Sequence, residues 1–220
     1  MRIPFSLDAF FGVFTRYNQS VWPMQIVLTA LAVAAMVLLC RGRYSESRYI
    51  SAVLSVLWLW MAIAYHLVFF TEINPAAWLF GVAFLFGAAS FLWSGCIRNK
   101  LRFVMGGGVR AWFGGLLIGF ALVVYPVIGH VLGHRYPAVP TFGTPCPTTI
   151  FTLGVLLFAE RPVPKSVFVV PLFWVAVRSM AAFQLGVRQD LGLLAAGSTV
   201  LAVAILTPRH SEAHGDPSSG

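Results

Sequence analysis

A chain of 220 residues with 59% apolar and only 10% charged residues, and a mean hydropathy of +0.82, lies outside the range of soluble domains, where charged residues run near a quarter. Its expected solvent is lipid. Three cysteines without a C-x-x-C pair, and no dinucleotide, Walker or zinc spacing, exclude the commonest soluble-enzyme fingerprints. The formal charge of +8 is then read as cytoplasmic loops and contacts with anionic lipid, and nucleic acid is not expected as a partner.

The pattern predicts an all-α, polytopic membrane helix bundle of about seven transmembrane helices with an N-terminal interfacial amphipathic helix. Residues 1–20 form the interfacial segment: Ser6 caps it, Asp8 sits in its first turn, and Leu7, Phe10, Phe11 and Phe14 share a face at i, i+3, i+4, i+7. Asp8 and Arg16 interrupt the apolar stretch, so it does not read as a signal peptide. The bundle follows at 21–207, with spans at about 21–40, 49–70, 75–97, 111–132, 147–160, 166–187 and 191–207, and then a disordered cytoplasmic tail at 208–220.

Nine of the fifteen Lys and Arg residues (Arg41, Arg43, Arg48, Arg98, Lys100, Arg102, Arg110, Arg161 and Lys165) fall in the connections after spans one, three and five. The positive-inside rule places those connections in the cytoplasm, the N-terminus outside and the C-terminus inside.

Span five is short, about 21 Å at 1.5 Å per residue, against a hydrocarbon core of roughly 30 Å. Before it stand Pro137, Pro140, Pro145 and Pro147, so residues 136–146 are expected to fold over the outer mouth of the bundle. Asn74-Pro75-Ala76 resembles the water-channel triplet, but a single copy at the head of a full-length span reads as a helix cap. Gly115-x-x-x-Gly119, Gly129-x-x-x-Gly133, Gly81, Gly87 and Gly95 read as small packing faces, which also admit a homo-oligomer.

Polar residues gather on the outer side. Intramembrane ionisable groups need a partner or water, so they are candidate site residues by default. His66, His130 and His134 are candidate metal or bis-His haem ligands, although no motif specifies a cofactor. Cys146, between two prolines at a helix N-terminus, is a candidate thiolate. Arg178, in the middle of span six, needs a counterion, with Glu72 and Asp190 available, or binds an anion. Together with Tyr136 these define a candidate substrate site of His66, Glu72, His134, Tyr136, Cys146, Arg178 and Asp190.

Four stretches, Arg16-Tyr17-Asn18 with Val21-Trp22-Pro23, Tyr65-His66 with Ile73 to Trp78, Gly133 to Pro137, and Pro145 to Gly154, carry a further likeness. Through them the chain resembles a bacterial membrane family described only as a domain of unknown function, over about residues 4–205. The resemblance implies a bacterial inner-membrane location and one domain, and transfers no functional residue. No complete catalytic constellation is visible. The expected function is small-solute or ion binding and transport at a polar site near the extracytoplasmic face. The alternatives are a metal, haem or thiol redox enzyme and a non-catalytic lipid- or partner-binding component.

Overall fold

The computed structural model describes residues 5–185 and 191–206, with side chains for 5–179 and 192–202. Among them are eight helices: α1 (Leu7–Ser20), α2 (Met24–Arg41), α3 (Tyr44–Glu72), α4 (Ala77–Ile97), α5 (Val109–Val131), α6 (Pro145–Leu156), α7 (Ser166–Leu185) and α8 (Leu191–Leu206). By length and composition α2, α3, α4 and α5 can each cross a membrane, while α6 and the described parts of α7 and α8 are shorter apolar helices. Asp190 and the expected tail at 208–220 lie outside the described residues.

Ser6 caps α1 as expected, its Oγ accepting the Ala9 N–H at 3.1 Å. The buried face, however, is rotated from the expected one. Phe10, Val13, Phe14, Tyr17 and Asn18 are buried, whereas Leu7 is 43% exposed. The cause is that two polar side chains find partners inside: the Tyr17 hydroxyl accepts the Trp60 indole N–H at 2.7 Å, and Asn18 meets the chain at 137–141. The helix therefore packs on protein, against Tyr65, Phe70 and Ala77.

On α2, Gln25, Leu28, Ala32, Ala35 and Leu39 face inward at alternating steps of three and four residues, the spacing that keeps one stripe of a helix on its neighbours. Ile26, Val33 and Val37 of α2, Trp78, Leu79 and Val82 of α4, and Trp112, Val123 and Val131 of α5 are exposed. So much exposed apolar surface is compatible with a lipid solvent. α2 ends at Gly42, whose φ of +64° places it in the left-handed region, with its N–H closing on the Leu39 carbonyl.

The centre of the bundle is α6, every one of whose twelve residues is buried. A helix apolar all round must be enclosed, and here α3, α5, α7 and α8 enclose it. Trp58 of α3, fully buried, donates its indole N–H to Thr152 Oγ1 at 3.1 Å and stacks near Phe84 and Phe91. Gly87 of α4 makes room for that indole, since a Cβ there would lie 2.7 Å from the ring. α5 and α6 cross at Gly114 and Gly154, where a Cβ on either would stand 3.0 Å from the other's carbonyl oxygen.

Gly115 and Gly119, expected as packing positions, meet nothing within 4 Å. The stripe that packs inside the chain is one residue away.

Beyond α6 the chain continues in hydrogen-bonded turns over 157–159, and its far end is tied to the basic connections. The Val104 N–H donates to the Phe158 carbonyl at 3.0 Å and the Glu160 N–H to the Arg102 carbonyl at 2.7 Å. The Tyr44 hydroxyl donates to Glu160 Oε1 at 2.9 Å, an Arg110 guanidinium N–H donates to the Ala159 carbonyl at 2.9 Å, and Arg41 pairs with Glu46 at 3.1 Å. The three basic connections therefore share one end of the bundle. Thr141 and Thr144 sit at the opposite end beside Asn18, so residues 144–160 run the full length of the bundle although only twelve of them are helical.

Substituting Gly154→Val is expected to destabilise the protein by about 1–3 kcal/mol, because the added atoms meet backbone. Gly115→Ala is expected to leave stability unchanged or slightly raised. Thermal unfolding of the two variants in detergent checks the contrast.

Candidate functional site

The end of the bundle opposite the basic connections is organised by one side chain. Asn18, fully buried at the end of α1, donates through Nδ2 to the carbonyls of Pro137 at 2.7 Å and Val139 at 2.8 Å. Its Oδ1 accepts the Thr141 hydroxyl at 2.7 Å and the Gln25 amide at 3.3 Å. Its backbone carbonyl, left without a helical partner at the end of α1, accepts from Gln25 Nε2 at 2.8 Å and the Tyr136 hydroxyl at 3.2 Å. The proline-rich segment is thereby held down on α1 and α2, as its sequence suggested.

Under that segment lies the largest of the described cavities, about 760 Å³, open on one side between α2 and α5. Its long walls are apolar: Ile26, Ala30 and Val33 from α2, Ala121 and Leu122 from α5. Its upper end is polar, with Gln25, His130, His134, Tyr136 and Thr141. Gln25 is 7% exposed; its amide nitrogen is spent on Asn18, and its Oε1 has no hydrogen-bond partner. A buried acceptor left unmade costs about 1–3 kcal/mol, and this one, on a residue that lines the cavity, is itself covered by protein. α5 widens into π-helical turns over Phe120–Val124, directly before Pro126, which has no N–H to continue the regular ladder. The widened turns form the floor of the groove.

A second cavity is far smaller. Cys146 and Arg178 line it, with Thr144, Pro145, Tyr65, Trp174, Phe10, Phe14 and Phe70, and its volume is about 10 Å³, room for a single water. Arg178 is buried and holds its guanidinium over the Phe10 ring at 4.9 Å. Glu72, expected as its counterion, instead pairs with Arg16 at 2.6 Å, both side chains about half exposed.

The expected convergence of His66, His130 and His134 is not what the chain builds. His66 is fully buried among the rings of Tyr65, Phe70, Phe80, Phe84 and Trp174. His130 and His134 line the large groove, where His134 stacks on Phe11 at 4.3 Å. Among the described residues no group of three His, Cys, Asp or Glu is gathered to hold a metal. His66 therefore belongs to the aromatic core, and the candidate residues divide in two: His134 and Tyr136 with His130 at the groove, Cys146 and Arg178 at the small cavity.

Sequence reasoning passed over Gln25 and treated Asn18 as one polar residue among many. The available signal was Gln25 standing in an otherwise apolar opening turn of α2.

Apolar helices long enough to cross a membrane, packed around a wholly buried one, define an all-helical protein suited to a lipid environment. Within that class the chain belongs to DUF6064, a family of unknown function whose model matches residues 7–215. No curated protein and no solved structure matches the chain.

Asn18→Ala removes both amide donors and the side-chain acceptor, and is expected to cost about 2–4 kcal/mol. Amide hydrogen exchange is expected to rise across 136–144 while residues 101–104, at the far end, keep their protection. Mass-spectrometric exchange of the detergent-solubilised protein reads both segments at once.

Proposed function

We propose that the chain is an integral membrane protein that binds a lipid-like amphiphile in the groove between α2 and α5, with the head group under the proline-rich segment. The observation that carries this reading is the shape and polarity of the groove itself. It is about 760 Å³, apolar along its length, open on one side and polar at one end, where Gln25, His130, His134, Tyr136 and Thr141 stand. Ligand sites are typically concave, mostly apolar and furnished with a few placed polar groups.

The lining contains no Asp, Glu, Lys or Arg. The head group it suits is therefore uncharged or zwitterionic and carries hydroxyl or amine N–H donors for Gln25 and the imidazoles. An apolar tail would lie along Ile26, Ala30, Val33 and Leu122. This reading favours a binding role over catalysis.

Small-solute transport through a site of His66, His134, Cys146 and Arg178 finds less support. Only Cys146 and Arg178 share a cavity, and it has room for one water. Redox chemistry at Cys146 would need a substrate to reach a thiol that is 6% exposed. The sidedness of the basic residues supports a bacterial inner-membrane protein with its N-terminus and groove on the extracytoplasmic side. The open Gly115 and Gly119 face of α5 suits contact with a second copy of the chain.

Native mass spectrometry of the protein extracted from membranes tests the binding. The expected result is a bound amphiphile in the wild type, lost in Ala30→Trp, which fills the groove, and weakened about 5- to 20-fold in Gln25→Leu, the cost of one polar contact. A wild type that carries no amphiphile, or an Ala30→Trp variant that retains it, refutes the reading.

A further inference from the structure

At the opposite end of the bundle a second concavity, about 290 Å³, is lined by Tyr44, Ser45, Arg48, Asn99 and Arg102. Ser45, Arg48, Asn99 and Arg102 each carry a side-chain donor, the Tyr44 hydroxyl donates to Glu160, and none of the five is a carboxylate. Among the described residues neither Arg48 nor Arg102 forms an ion pair.

Their placement is built, not incidental. Arg102 stands between Leu101 and Phe103, each 1% exposed, so an extended backbone that buries both neighbours must turn Arg102 outward. That backbone is fixed on either side: the Phe103 N–H donates to Ser47 Oγ at 3.0 Å, and the Arg102 carbonyl accepts the Glu160 N–H at 2.7 Å.

Ser47 immediately precedes Arg48 at the start of α3, so the bond from Phe103 to Ser47 sets the two guanidinium-bearing residues side by side. The Arg102 guanidinium is further steadied over the Tyr44 ring at 5.7 Å, with the Tyr44 hydroxyl anchored on Glu160. Asn99 reaches the pocket from a left-handed turn, φ +51°, at the end of α4. Asn tolerates that conformation better than most side chains.

Two guanidiniums held together with hydroxyl and amide donors match a phosphate ester, which accepts paired N–H bonds from Arg. We propose that this pocket binds the phosphate group of an anionic phospholipid. Lipid is favoured over free phosphate because Tyr49 and Trp93, exposed at 63% and 53%, stand on the same two helix ends. Such aromatic side chains sit at the head-group level of a bilayer, and basic pockets between membrane helices on the cytoplasmic side hold anionic head groups. The site is independent of the groove at the other end and is occupied whether or not the groove binds an amphiphile.

The test uses the full chain in nanodiscs of phosphatidylcholine with a minor fraction of phosphatidylglycerol, reading lipid retained after extraction by native mass spectrometry. Three proteins are compared: wild type, Arg48→Gln with Arg102→Gln, and Arg43→Gln with Lys100→Gln, which removes the same charge from the same end outside the pocket. The expected result is phosphatidylglycerol enriched on the wild type and on the second double variant, and reduced at least 10-fold on the first. Thermal unfolding confirms that both variants are folded.

Equal losses in the two double variants would reduce the site to diffuse charge and overturn the proposal. So would a wild type without enrichment. Displacement of the lipid by millimolar inorganic phosphate would identify free phosphate as the ligand and overturn the assignment to lipid.

Discussion

The fold at one end depends on the saturation of a single buried amide. An asparagine side chain has two N–H donors and two acceptor lone pairs, and Asn18 uses all four on Pro137, Val139, Thr141 and Gln25. Four prolines within 137–147 leave that segment without regular helical bonds, so its carbonyls need donors from elsewhere. In lipid no water would supply them. Asn18 and the Tyr136 hydroxyl tie the segment to the end of α1, and Gln25 carries the network on to α2. Because the Gln25 amide nitrogen is committed there, that one side chain joins the roof of the groove to its α2 wall.

The other organising constraint is α6. A twelve-residue helix with no exposed face cannot be stabilised by its own propensity, and it relies on neighbours that approach to backbone distance at Gly114 and Gly154 and on the Trp58 to Thr152 bond from α3. The turns that follow it pair with 102–104, which positions Arg102 and Glu160 together. The central helix and the basic pocket are therefore linked through the backbone of residues 157–160, and the geometry of the pocket follows from packing deep in the bundle.

Much of this organisation was legible in the chain itself. The helices fall close to the expected spans because apolar runs bounded by Gly, Pro and basic residues leave few alternatives, and the Ser6 cap and the folding over of 136–146 follow from local chemistry. Asn74 was expected to cap α4, but the N-cap position falls at Ala76, and the Asn74 Oδ1 accepts the Ala76 N–H at 3.1 Å in the turn just before the helix. The rotation of α1 was not legible, because it depends on partners for Tyr17 and Asn18 that stand more than forty and a hundred residues away. Nor was the separation of His66 from His130 and His134. Sequence spacing places each imidazole at the same end of the bundle but does not give the azimuth, and His66 turns toward α4 and α7 while His130 and His134 line the groove, His134 against Phe11 of α1. The glycines of α5 show the same limit at one-residue resolution: Gly114 packs and Gly115 does not.

The two ends of the bundle differ in what they can recognise, and the difference is electrostatic. The groove lining holds amide, hydroxyl and imidazole groups and no Asp, Glu, Lys or Arg, so an occupant would be discriminated by hydrogen-bond pattern and by the length of apolar wall. The basic pocket presents fixed cations and donors alone, so it discriminates by charge. An amphiphile without a phosphate or other anion has nothing to gain from the second, and an anionic head group finds no cation from Lys or Arg in the first. Between them stand α6 and the aromatic packing around Trp58, so the two proposed sites lie at opposite ends of the bundle.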